Sequence, residues 1–217
     1  MKAIVVTFLI ACLISATLFG QSAKYTEAMQ KQLTALDNSF TKEALQTAAN
    51  NFERIGNAEK TEWLPFYYAG YSLVMYCYME RDVSKIDALC DKADEHLSKA
   101  ASMQQNHSEI TTAQAMVLTA RMQVDNSRAM TLGPKSSGML QAAMAQQPLG
   151  NPRTMMNMAQ SLYYTPEAFG GGKGKAIELM EKSLAAYATF KPESPIHPYW
   201  GKEYVEQTLG EWKKGSK

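Results

Sequence analysis

Three segments of this chain repeat one spacing: a small residue, a large apolar residue four places on, and a second small residue three further. Ala93, Leu97 and Ala100 form the first, Ser136, Leu140 and Ala143 the second, and Ala176, Met180 and Ser183 the third. In the second, Pro148 follows five residues later; in the third, Gly171 precedes Ala176 by five and Pro192 closes the segment. Residues three, four and seven apart share one face of a helix. The small side chains there let a neighbouring helix come close while the large one fills the groove between them. The first residues of the three segments lie ~40 apart, a spacing that means stacked helical pairs, none of which buries its apolar face alone. Thr41, Leu45 and Ala48 form a degenerate earlier copy.

The rest of the chain agrees with a helical reading. No region alternates as a strand does, and apolar periodicity predicts about nine helices. The first runs from Lys24 to Leu36. The second is capped by Ser39 or Thr41, buries Leu45, Ala48, Phe52 and Ile55, and is expected to end at Gly56. The third, Glu62 to Tyr78, is aromatic on all sides. Ser84 is the expected cap of the fourth, and the fifth covers Ser108 to Val124. Gly133 and Pro134 predict an interruption before a sixth helix, Ser136 to Gln146. Asn151 as cap and Pro152 at the first helical position open the seventh, which reaches Tyr164. After a loop from Thr165 to Gly174 the eighth continues to Phe190, and Lys202 to Lys213 forms a last amphipathic helix that caps the array.

A chain of 217 residues with 46% hydrophobic and 20% charged residues has the composition of one globular domain rather than a disordered tail. Its 22 basic and 21 acidic residues nearly cancel, so no strong field points to nucleic acid. Met1 to Gly20 reads as a secretory signal: Lys2 supplies the positive start, Ala3 to Phe19 is almost wholly apolar, and Gly20 before Gln21 offers a small residue for cleavage. A transmembrane anchor is disfavoured because the run is barely long enough and no basic stop-transfer cluster follows. A lipidated Cys12 is also disfavoured, since Leu13 and Ile14 stay apolar. The mature domain, 21–217, is therefore expected in the periplasm or outside the cell with no membrane span. Cys77 and Cys90 remain after cleavage and read as two buried thiols, because an axial offset of ~6 Å separates them when counted from the intervening turn.

The second-helix signatures, together with the segment Ala168 to Leu184 (AFGGGKGKAIELMEKSL), resemble degenerate exported tetratricopeptide-repeat proteins over about Thr41 to Pro192. The chain is also similar to the periplasmic tetratricopeptide-like lipoproteins of tripartite ligand transporters, in which a glycine-rich loop leads into such a helix. The tryptophan and Leu-Gly pair of the standard first helix have no clear counterpart, and the repeat exceeds the usual ~34 residues. The resemblance implies an all-α array of antiparallel hairpins, an α-solenoid. The expected function is a non-catalytic scaffold that holds a protein or peptide in the bacterial envelope. The alternative is a periplasmic binding protein that hands a small apolar ligand to a transport system, with a cavity lined by Tyr and Met.

No chemical motif displaces that reading. Gly170 to Lys175 resembles a phosphate loop, but Phe169 and Ala176 stand where the pattern needs glycine and a hydroxyl residue. His96, His107 and His197 lack metal-ligand spacing and read as surface or loop residues. The 14 methionines, with Met155, Met156 and Met158 clustered, are better explained as adaptable packing than as a copper site. No metal, cofactor or catalytic group is expected. The candidate binding residues are aromatic: Trp63, Tyr67 and Tyr71 on one face of the third helix, and Tyr163, Tyr164 and Phe169 beside the glycine loop. For the first three, core packing between hairpins is the favoured alternative.

Overall fold

The computed structural model describes residues 23–147 and 150–215. The expected leader (1–20), the alternative at Cys12 and the closing Pro148 lie outside the described residues. Among those described there are nine α-helices and no strand: α1 (23–38), α2 (Lys42–Ala58), α3 (Leu64–Met79), α4 (Ile86–Met103), α5 (Ser108–Arg121), α6 (Ala129–Gln146), α7 (Pro152–Tyr164), α8 (Lys173–Thr189) and α9 (Lys202–Lys214). The all-α hairpin array is thus the observed architecture. Helix α3 packs along both α2 and α4, α5 along α6, and α7 along α8, while α5 also touches α3 and α7.

The repeated small residues lie where hairpin partners meet. Ser136 of α6 donates to the Ala115 carbonyl of α5 at 3.1 Å, and Ser183 of α8 to the Pro152 carbonyl of α7 at 2.8 Å. A hydroxyl here serves as both spacer and tie, since a larger side chain would push the helices apart. The caps follow the sequence logic at two starts. Thr41 Oγ1 accepts from the Ala44 amide, and Asn151 Oδ1 from the amides of Arg153 and Thr154.

Three local expectations are corrected. Gly56 does not end α2 but lies buried within it, where an added Cβ would come within 2.8 Å of the Phe66 ring. The glycine serves a close crossing with α3. Ser84 does not cap α4: Asp82 accepts from the Ser84 amide and opens a 3-10 turn, Val83–Lys85, that leads into the helix. Gly133 and Pro134 do not interrupt α6, which runs through them from Ala129. Pro134, at the sixth helical position, withholds the amide that would reach the Met130 carbonyl and crowds that carbonyl, yet the helix continues through it.

Two hydrophobic cores result. One joins α1 to α5 around Phe52, Tyr67, Leu73 and Leu97; the other joins α7, α8 and α9 around Met156, Met180, Leu209 and Trp212. Cys77 and Cys90 sit in the first core as free, fully buried thiols, their Sγ atoms 3.7 Å apart, so the axial offset does not keep them out of contact. No described helix is long and apolar enough to cross a membrane.

Candidate functional site

Helices α5 and α7, the first helices of neighbouring hairpins, meet in two different ways along their lengths. Their N-terminal ends are joined by buried polar groups. Arg153 is fully buried, and its Nε donates to both carboxylate oxygens of Glu109, at 2.8 and 2.9 Å, while Nη2 bonds to one of them. Burial by itself lowers the arginine pKa, but the Glu109 carboxylate and its hydrogen bonds more than restore it, so the guanidinium stays charged. Asn151 donates to Ser108 Oγ and to Glu109, and the Thr112 and Thr154 hydroxyls meet at 2.6 Å. This is a polar zip, in which the two charges are paired through Arg153 Nε and Nη2.

The C-terminal ends of the same helices diverge. Between them and the start of α6 lies a groove of about 270 Å³, lined by Met116, Thr119, Met122, Leu140, Gln160 and Tyr164 among others. It opens because the contributing positions on α5 and α6 include Ala115, Ala129 and Gly133, which are too small to fill it. Apolar atoms make up most of its exposed wall, with Asn157, Gln160, Ser161 and Thr165 as the polar lining; the Thr119 hydroxyl bonds the Ala115 carbonyl at 3.2 Å. Tyr164, in the groove's wall, is 80% exposed. An exposed aromatic side chain at a concave surface marks a candidate binding region.

The predicted site residues divide between these two environments. Tyr67 and Tyr71 are 0% and 6% exposed and belong to the core, with Trp63 half-buried against it. Tyr163 stacks on Trp212 of α9 at 4.0 Å between ring centroids. Tyr164 lines the groove and Phe169 lies in the loop that follows. The α3 aromatics are at the N-terminal end of α7, as Trp200 links Tyr71 to Arg153, so the two trios occupy opposite ends and do not share one surface.

What covers the α3 trio is the segment between α8 and α9, residues 190–201, here termed the strap. Phe190 lies 4.4 Å from the Arg153 guanidinium, Ile196 is buried in the first core, and the His197 ring meets Trp63 at 5.9 Å. Tyr199 donates its hydroxyl to Asp37 at the end of α1. Burial and that facing carboxylate push the phenol up to about 12, so it remains a donor. Trp200 stacks on Tyr71 at 4.6 Å, donates its indole N–H to the Tyr67 hydroxyl at 3.0 Å, and packs against both cores.

Of the histidines, His107 and His197 lie in loops as expected, and only His96, buried on α4, departs from the expectation. His96 is buried, and His107 and His197 are half-buried against Trp63. Burial lowers the pKa of all three, so they are neutral at neutral pH. None lines the groove. Among the described residues, no group of three His, Cys, Asp or Glu side chains converges as a metal site. The groove's potential metal donors are instead the thioethers of Met116 and Met122 and the phenol of Tyr164. Sequence reasoning offered a cavity lined by Tyr and Met but did not single out Met116 or Met122, and it missed Trp200 and the Glu109–Arg153 pair. The abundance of methionine was the available signal, but its position between diverging helices has no periodicity of its own.

Comparison with solved structures gives a close relative and a fold neighbour. The HusA haemophore from Porphyromonas gingivalis is 36% identical, with a TM-score of 0.80 over 89% of this chain and 94% of that one. A thermophilic TPR protein of Thermus thermophilus is 12% identical, with a TM-score of 0.55 over 93% of this chain and 96% of that one, a likeness of fold alone. No family model matches the chain, and no curated protein matches it.

Proposed function

Because this chain belongs to the family of the HusA haemophore, we propose that it is an exported binding protein that carries haem or a porphyrin of the same shape in the groove between α5, α6 and α7. The observation that carries this reading is the open apolar groove itself, with exposed Tyr164 beside it and Met116 and Met122 in its wall. A volume of about 270 Å³ falls just short of the ~300 Å³ at which enclosed small-molecule pockets begin. It suits a flat ligand that inserts one edge and leaves the other, with its carboxylates, in water. The donor set fits as well, since thioether and phenolate are both known ligands of haem iron. The role of the protein is to exclude water from the ring and to hold it against apolar side chains; it performs no chemical step. Of the two functions expected from sequence, the small-ligand carrier is the better supported.

Titration with hemin, followed by Soret absorbance and tryptophan quenching, tests the proposal. Expected is saturable one-site binding that weakens at least tenfold in the Met122→Ala/Tyr164→Ala double variant, with an unchanged far-UV spectrum. Iron-free protoporphyrin should bind within about tenfold of hemin if burial of the ring dominates, since burial of apolar surface at ~25 cal/mol per Å² outweighs a weak axial bond. Hemin binding that is absent, or indifferent to both substitutions, would remove this groove as the site.

A further inference from the structure

The strap occupies the inner, first-helix side of the array much as a bound peptide would. It crosses from the N-terminal end of α7, where Phe190 covers Arg153, past Trp63 of α3 and out to Asp37 of α1, and then returns Trp200 to Tyr67 and Tyr71. Its contacts are those of a recognition motif: one aliphatic anchor, Ile196, one aromatic anchor, Trp200, a side-chain donor to Tyr67, and a backbone carbonyl at Trp200 that accepts from Tyr187 at 2.8 Å. The chain turns at the first anchor, where the His197 amide donates to the Ser194 carbonyl at 3.0 Å, and it carries Pro195 just before Ile196 and Pro198 between the two anchors. Prolines restrict the free segment, so less entropy is lost on docking.

The fit is incomplete in its polar part. Arg153 Nη1 and His107 Nδ1 are buried with no hydrogen-bond partner, and both belong to residues that the strap or its neighbour Trp63 covers. The strap therefore meets the apolar demands of the groove and leaves two polar ones unmet. Its exit is also conditional. Gly201 has φ +105°, and an added Cβ would stand 2.4 Å from the Tyr187 hydroxyl that holds the Trp200 carbonyl.

We propose that the strap is a tethered occupant of a peptide groove. When it lifts, the groove takes a segment of another polypeptide that turns as the strap does, with an aliphatic residue at the position of Ile196 and an aromatic N–H or O–H donor at that of Trp200. Such a partner would also bring carbonyl acceptors to Arg153 Nη1. The seated strap competes from an effective concentration in the millimolar range, so a free segment engages only when the strap is weakened or the segment binds better.

The test uses the full chain and a fluorescent synthetic peptide of this chain's own residues 191–204, followed by anisotropy. In Trp200→Ala the strap loses its aromatic anchor, and in Gly201→Ala its exit is blocked while every groove residue is kept. Both variants should bind the peptide at least tenfold more tightly than the unsubstituted protein, and a peptide carrying alanine at the Trp200 position should not bind. Equal affinity for all three proteins, or no binding to variants whose helical circular dichroism is intact, would overturn the proposal. So would loss of helical structure in both variants, since the strap would then be a structural staple with no lifted state.

Discussion

The two ends of the α5–α7 junction show what a single pair of helices can be made to do. At the N-terminal end, Ser108, Glu109 and Thr112 face Asn151, Arg153 and Thr154, all buried, and the side-chain bonds between them are no longer than 3.0 Å. At the C-terminal end the facing residues are Met116, Thr119 and Met122 against Gln160 and Tyr164, and the helices part to leave a groove. Polar partners demand close, fixed geometry, whereas methionines and a tyrosine tolerate a gap and can repack around an occupant. The difference makes one end the stabilising one and leaves the other open for the binding proposed above.

The sharpest way to break that division is at the zip. Arg153→Met leaves Glu109 as a buried charge without its counterion, a loss of ~3–5 kcal/mol. At ~2–4 °C per kcal/mol for a chain of this size, the midpoint of thermal unfolding should fall by about 10 °C in circular dichroism. A fall of under 2 °C would show that this end is no more essential than the other. Removing both charges in Arg153→Met/Glu109→Leu should restore much of the loss, because no uncompensated ion remains.

Acid should act next, and on the same side. Unfolded histidine binds its proton near pH 6.5, while His96, His107 and His197 in the folded chain hold theirs only at lower pH. As pH falls through ~6.5 the unfolded state takes up protons that the folded state refuses, so stability drops in that window and is complete above it. The unfolding midpoint should be several degrees lower at pH 5 than at pH 7.5, with amide exchange quickening first around Trp63, His107 and the strap. Exchange that quickens first at the groove would reverse the comparison.

A smaller effect is expected for Thr112→Val, which leaves the buried Thr154 hydroxyl without its 2.6 Å partner. The cost is ~1–3 kcal/mol, visible as a shift in the urea midpoint with an unchanged slope. The smallest belongs to the other end. Tyr164→Ala removes a side chain that is 80% exposed, so stability should stay within ~0.5 kcal/mol while hemin affinity falls. A loss of stability larger than that of Thr112→Val would mean that Tyr164 supports the fold rather than a ligand.

The same contrast explains what was legible beforehand. Small–large–small spacing at Ser136, Leu140 and Ala143 and at Ala176, Met180 and Ser183 predicts close helix crossings, and these residues are buried where α6 and α8 meet their partners. Asn151 and Pro152 announce the start of α7 because capping chemistry is local. Gly133 and Pro134 mislead for the opposite reason: packing of α6 along α5 holds the helix through an unfavourable proline, and that packing is not local. Glu109 and Arg153 are 44 residues apart, and no local pattern joins them; only the approach of α5 and α7 makes them one buried pair.

The chain's sequence by itself determines that it is an array of helical hairpins, because periodicity, caps and crossing residues are properties of single segments and their immediate neighbours. It also marks Trp63, Tyr67, Tyr71, Tyr163, Tyr164 and Phe169 as aromatic resources. Tertiary structure decides how they are used: a strap more than a hundred residues downstream buries the α3 trio, and nothing among the described residues covers Tyr164 and Phe169 in that way. Burial depends on what lies opposite a side chain, and that partner is chosen by the path of the whole chain.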